Sequence, residues 1–235
     1  MTTTLITGAN KGLGKETARR LLSAGHTVYL GARAEERGRA AAEDLGARFV
    51  RIDVTDEASV NAAAEEIARA GGLDVLINNA GIEPRLADNK IPTAADETPE
   101  LMTHTFATNA IGTLRLLHTF LPLLERSSAP VVVNLSSGLA SISGLADPAS
   151  HTHFYPGISY PASKAVVNAI TVQYAKQYPW LRINAVEPGF TDTALNGHTG
   201  TQTVAEGAEI IVQMAQVAPD GPTGTYRSIH GPIPW

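Results

Sequence analysis

Short, almost uninterrupted apolar runs recur along this chain, separated by longer stretches in which apolar residues return every three or four positions. The short runs predict strands over 3–7, 27–31, 48–52, 73–77, 131–135, 182–186 and 225–229. The helical spacing predicts helices over 13–24, 35–45, 57–70, 101–125, 159–177 and 203–218. Runs such as Val75-Leu76-Ile77 and Val131-Val132-Val133 carry no polar alternation, as expected of strands covered by helices on both faces. Strand and helix alternate throughout, with Gly, Asn or Asp at the joints. The pattern predicts an α/β fold: a doubly wound, seven-stranded parallel sheet flanked by helices.

No linker and no internal repeat divides the chain, so residues 1–235 are expected to form one domain. Three stretches, 82–99, 138–158 and 190–202, are too long for plain connections, and each follows a strand. In an open α/β sheet ligands bind at the carboxyl ends of the strands, so these loops should wall a single site.

Composition narrows the function classes. The 235 residues are 43% hydrophobic and 17% charged, enough to bury a core. The net charge of -5 comes from acidic and basic residues spread along the chain, which argues against nucleic acid as a partner. There is no cysteine, which excludes thiol nucleophiles and cysteine-ligated metal sites. No apolar run reaches the roughly 18 residues of a membrane span. The start, Met1-Thr2-Thr3-Thr4-Leu5-Ile6, has no basic segment ahead of a long apolar one, and a cytoplasmic location without membrane attachment is expected.

The first strand runs into Thr7-Gly8-Ala9-Asn10-Lys11-Gly12-Leu13-Gly14, and an amphipathic helix follows. Gly8 suits a tight turn, Gly12 a close approach of backbone to a pyrophosphate, and Gly14 close helix-to-strand packing. The helix start then offers unpaired N–H groups and partial positive charge to phosphates. An ordinary glycine-rich turn is the alternative; the placement between first strand and helix favours a Rossmann-type dinucleotide site.

Further motifs follow in order: Asp53-Val54, Asn78-Asn79-Ala80-Gly81, Asn109, Val133-Asn134-Leu135-Ser136-Ser137, Tyr160-Pro161-Ala162-Ser163-Lys164 and Pro188-Gly189-Phe190-Thr191-Asp192-Thr193. With the glycine turn they resemble the short-chain dehydrogenase/reductase family over nearly the whole chain, and the tail, Val204-Ala205-Glu206-Gly207-Ala208-Glu209, Pro219-Asp220-Gly221-Pro222-Thr223-Gly224 and Trp235, is similar to its carbonyl-reductase-like members in particular. The resemblance implies cofactor contacts at Gly8, Asn10, Lys11, Gly12, Leu13, Gly14, Asp53 and Val54 (adenine), Asn79, Gly189, Thr191 and Thr193. It also implies that Tyr160 and Lys164 contact the cofactor, Lys164 at the nicotinamide ribose, that Ser137 polarises the substrate carbonyl, and that Asn109 holds a water linking Lys164 to solvent. For Asn109, a purely structural asparagine bonded to backbone is the alternative.

Tyr160 and Lys164 are four apart and share a helix face. A free phenol ionises near pH 10, and the ammonium is expected to lower that by about two or three units. Tyr160 would then donate a proton to the forming alkoxide in reduction and accept one in oxidation. Pro161 requires the helix to begin just before it. Tyr155 has no lysine four positions on and is rejected as the acid. His151 and His153, even taken with His198, lack the companions of a metal site and are better read as pocket lining, so no metal is expected.

At the end of the second strand the chain reads Tyr29-Leu30-Gly31-Ala32-Arg33, with no carboxylate to repel a 2′-phosphate. Arg33 offers that phosphate charge-assisted hydrogen bonds and Lys11 a second cation, so NADP(H) is the expected cofactor. The segment from Ser137 to Tyr160 spans 23 positions, about twice what the family resemblance implies; such an insertion can cover the substrate and block helix pairing, leaving monomer or homodimer open. The expected function is reduction of a small-molecule ketone or aldehyde. An NADP-dependent alcohol or hydroxysteroid dehydrogenase working in oxidation, and a non-catalytic redox sensor, are the alternatives.

Overall fold

The seven predicted strands are present in the computed structural model, which describes residues 1–235. They are β1 (Thr3–Thr7), β2 (Thr27–Ala32), β3 (Arg48–Arg51), β4 (Val75–Asn78), β5 (Val131–Leu135), β6 (Arg182–Val186) and β7 (Tyr226–Ser228). An eighth, β8 (Gly231–Pro232), was not expected and corrects the count of seven. It pairs antiparallel with β7, where Gly231, at φ 123°, helps turn the chain back on itself. Two residues are too few to display the period of a strand, which is why the sequence pattern does not reveal it. The sheet order is β3-β2-β1-β4-β5-β6-β7-β8, parallel except at its last pair.

The helices are α1 (Gly12–Ser23), α2 (Glu35–Leu45), α3 (Glu57–Arg69), α4 (Pro99–Phe106), α5 (Gly112–Leu124), α6 (Ile142–Ala146), α7 (Ser159–Gln177) and α8 (Val204–Ala215). The single helix expected over 101–125 is therefore α4, a π-helical turn over Ala107–Ile111, and α5. Thr98 caps it and Pro99 opens it, so it begins earlier than predicted. The widened turn surrounds Asn109, as is common of π-turns at functional sites. The long insertion over 138–158 is not plain loop: it holds α6 and two short 3₁₀ turns, Gly138–Ala140 and His151–Phe154.

Alternation along the strands divides the core into two layers. Ile6, Leu30, Ile77 and Val133 pack with Leu21 and Ile211 on the side of α1, α2 and α8. Leu5, Leu76, Val132 and Ile183 pack with Ile67, Leu117 and Phe120 on the side of α3 and α5. Between β1 and β4 the strand order reverses direction, so the connections leaving them diverge and open a crevice at the carboxyl edge of the sheet.

Candidate active site

That crevice is a cleft of about 710 Å³. One wall is the turn after β1. Lys11 is fully extended ahead of α1, Gly12 takes a φ of 54° that disfavours any side chain, and a Cβ on Gly14 would stand 2.6 Å from Asn79 Nδ2. Asn79 Nδ2 donates to the carbonyls of Thr7 (2.7 Å) and Gly8 (3.2 Å), while Thr7 Oγ1 accepts from the N–H groups of Asn79 and Ala80. The ends of β1 and β4 are thus stitched together, and the first turn of α1 opens into the cleft with no side-chain cap and no acidic residue.

Of the residues expected to hold a cofactor, Gly8, Asn10, Lys11, Gly12, Leu13, Gly14, Arg33, Asp53, Val54, Asn79, Tyr160, Lys164 and Thr193 line this cleft. Gly189 and Thr191 do not. Thr191 is buried, its hydroxyl turned to the Pro188 and Gly189 carbonyls (3.2 Å each) and accepting from Gln202 Nε2 (2.8 Å). It holds the loop's shape behind the wall.

At the Arg33 end the electrostatics are those of a cation beside a fixed carboxylate. Burial works to raise Asp53, but hydrogen bonds from Thr55 (2.7 and 2.9 Å) and the charges of Arg33 and Arg115 outweigh it and hold the group below its ordinary value. Arg33 and Lys11 are exposed.

The other end is buried. Tyr160 lies in the first turn of α7, and Lys164 one turn on directs Nζ at the Leu135 carbonyl (2.7 Å), 5.7 Å from the Tyr160 ring centroid. Burial lowers Lys164 to about 8. The expected lowering of the Tyr160 phenol is not seen: burial and then the charges of Glu83 and Glu187 push it up, against a hydrogen bond with the Ser137 side chain. The ammonium is turned to a carbonyl and does not offset the lost hydration of the phenolate.

Ser136 and Ser137 turn to different partners. Ser136 is buried and donates to Asn168 Oδ1 (2.6 Å), whereas the half-buried Ser137 caps the following 3₁₀ turn and reaches Tyr160. Asn109 is bonded on every side: Oδ1 accepts from the Ile82 N–H (2.9 Å), and Nδ2 donates to the Ile82 carbonyl (2.9 Å) and Ser163 Oγ (3.0 Å). Its side chain pins the start of the 82–98 loop. Its Oδ1 and Lys164 Nζ nonetheless face Gly81 together, at 3.4 and 3.6 Å from where a Cβ would be.

Further groups stand around Tyr160. Tyr155 lies against it, ring centroids 6.5 Å apart, and donates to Glu83 Oε1 (3.0 Å); the other Glu83 oxygen pairs with Arg85. Tyr226 donates to the Ser137 carbonyl and stacks on Trp235. Glu187, raised by burial, accepts from the Gly189 N–H (2.8 Å). The one signal available for Tyr155, Glu83 and Glu187 is position, since each lies in a long loop or just beyond a strand, whereas Tyr226 opens β7 itself. His153 is bonded to the Leu145 carbonyl (2.8 Å) and His198, in the cleft wall, to Asp192 (2.7 Å).

The family model for short chain dehydrogenase matches residues 2–203. A (+)-neomenthol dehydrogenase of Arabidopsis thaliana is 32% identical, covering 95% of each chain, and a (-)-isopiperitenone reductase of Mentha piperita 33% identical, covering 94% of each. Among solved structures, an NADPH-bound carbonyl reductase from chicken fatty liver superposes with a TM-score of 0.85 at 27% identity, covering 100% of this chain and 99% of that one. Salutaridine reductase from Papaver somniferum gives 0.83 at 28%, covering 96% and 99%. With the glycine turn, Tyr160 and Lys164 facing one cleft, this matched span leaves one conclusion: the chain belongs to the short-chain dehydrogenase family of oxidoreductases.

Proposed function

We propose that residues 1–235 form one catalytic domain, monomeric or homodimeric, that reduces a ketone or aldehyde to an alcohol with NADPH. The cleft fits such a dinucleotide: uncapped N–H groups at the start of α1, a turn at Gly12 that no Cβ crowds, and at the far end Arg33 with no carboxylate after β2. When bound there, NADPH supplies a hydride to the carbonyl carbon.

The chain's own groups manage the oxygen. Ser137 Oγ donates to the carbonyl oxygen and steadies the developing negative charge. Tyr160 Oη gives that oxygen its proton and is left as phenolate. Lys164, ammonium at neutral pH, keeps its Nζ at the Leu135 carbonyl one turn from Tyr160 and would contact the nicotinamide ribose; the phenolate regains its proton from solvent between turnovers. Asn109 holds the loop wall through Ile82 and keeps the Lys164 surroundings in place. The observation that carries this reading is the juxtaposition of Tyr160 and Lys164 with the glycine turn in a single cleft.

The test is NADPH absorbance with a panel of ketones and aldehydes, and the reverse reaction with the matching alcohols. Substrate-dependent NADPH consumption is expected. Tight NADPH binding with no turnover on any carbonyl or alcohol would overturn the catalytic reading in favour of a cofactor sensor.

A further inference from the structure

The helix that carries Tyr160 has no cap of its own. Ile158 stands at the N-cap without a side-chain hydrogen bond, and the first turn contains no acidic residue. The missing partner comes from elsewhere in the chain: Glu97 Oε1 accepts the N–H groups of Ile158 and Ser159, each at 2.9 Å, and Oε2 accepts the Ser159 hydroxyl. Pro161 has no N–H to satisfy, so one carboxylate meets two of the few donors this helix start leaves free. Ser159 is fully buried, and Tyr160 is the next residue.

Glu97 is itself held from both sides. Ahead of it Asp96 accepts from the Thr93 N–H (2.9 Å) and hydroxyl (2.7 Å), and behind it Thr98 caps α4 through the Leu101 N–H (3.2 Å). The same loop packs on the segment before α7: a Cβ on Gly157 would stand 3.0 Å from Ile91 Cγ2. Burial works to raise the Glu97 carboxyl, but the hydrogen bonds from Ser159 and Ile158 outweigh it and keep it ionised.

We propose that Glu97 is a positioning residue for Tyr160: by capping α7 from the 82–98 loop, it sets the rotation of the first helical turn and so the aim of the phenol at the substrate oxygen. The inference rests on Tyr160 being the proton donor. It makes the wall of the site and the catalytic helix one mechanical unit, so that what disturbs the loop disturbs proton transfer. Glu97 touches neither cofactor nor reacting atoms, and its effect passes wholly through Ser159 and Ile158.

The experiment compares Glu97→Ala, Glu97→Asp and Glu97→Gln in the full-length protein. Gln keeps the length and an oxygen acceptor; Asp keeps the charge but falls a methylene short. Expected is a fall in kcat of at least about tenfold for Ala and Asp, and of less than about threefold for Gln, because a misplacement of the order of 1 Å can cost about a hundredfold. The Kd for NADPH should be unchanged in all three. Amide exchange at Ile158 and Ser159 should quicken at least about tenfold in the Ala variant, with the amides of the glycine turn unaffected. A normal kcat in Ala or Asp, or a Kd for NADPH that rises in step with the lost kcat, would overturn the proposal. Should Ala not fold, Asp against Gln decides it. Should the unmutated protein turn over no carbonyl, the functional reading fails, and positioning is then decided by exchange alone: protection that survives Glu97→Ala overturns it.

Discussion

At the Arg33 end of the cleft, the groups that would meet a ligand are backbone amides and exposed cations on short turns next to their strands. At the Tyr160 end they are buried side chains held by partners distant in the sequence: Lys164 by the Leu135 carbonyl, Asn109 by Ser163, and Tyr155 by Glu83. The first end gains its affinity from geometry that glycine and a helix start provide locally. The second gains its reactivity from the cost of burying charge, which only the assembled fold can impose. Substitutions at the first end should therefore move binding and leave chemistry alone, and substitutions at the second should do the reverse.

The sharpest way to break this division is Tyr160→Phe. General acid catalysis contributes about 10²–10⁴-fold, so kcat for carbonyl reduction should fall by about a thousandfold. Cofactor affinity should stay within about threefold, because the phosphate and adenine contacts lie at the other end of the cleft. Single-turnover kinetics and fluorescence titration with NADPH check the two halves separately. A Tyr160→Phe enzyme that retains its rate would mean that another group supplies the proton.

The converse substitution is Ala32→Asp with Arg33→Ala. Charge-assisted hydrogen bonds are worth about 1.5–3 kcal/mol, so removing the arginine and adding a carboxylate should weaken NADPH by about ten- to a hundredfold or more. NADH, lacking the 2′-phosphate, should lose little or gain. The ratio of kcat/KM for the two cofactors checks this, and kcat at saturating NADPH should hardly change. Equal efficiency with both cofactors in the unmutated protein would remove the role given to Arg33.

The same contrast explains how much was legible in the sequence. The turn after β1, the absence of an acid after β2 and the Tyr160–Lys164 spacing are local patterns, and the structure brings them to one cleft. Thr191 and Gly189 belong to an equally recognisable motif, yet the buried hydrogen bonds of Thr191 face the loop interior; a motif does not say which way its hydroxyl turns. The short β8 and the π-turn at Asn109 left no period to read. The charge environment of Tyr160 was misjudged for a related reason. Spacing puts an ammonium one turn away, but the opposing burial and the carboxylates of Glu83 and Glu187 arrive on the connections after β4 and β6 and come together only once the chain is folded.

Glu83→Gln tests that environment and carries the smallest effect, because Arg85 already partners the carboxylate. Gln keeps an acceptor for the Tyr155 hydroxyl while removing one of the two negative charges that raise Tyr160. Glu187, Lys164, Ser137, Tyr155 and Tyr226 still face the phenol and are unaltered. With less negative charge nearby, the phenolate forms more readily, so its pKa falls. In oxidation, where Tyr160 must be ionised, the rising limb of kcat/KM should move to lower pH. In reduction, where it must be protonated, the plateau should end at lower pH. Lys164 titrates lower, near 8, and burial rather than Glu83 sets it there, so a limb belonging to the lysine should stay where it is. Profiles in both directions that superpose on those of the unmutated enzyme would show that the Glu83 charge is neutralised by Arg85 as seen from Tyr160, and that burial and Glu187 set the phenol.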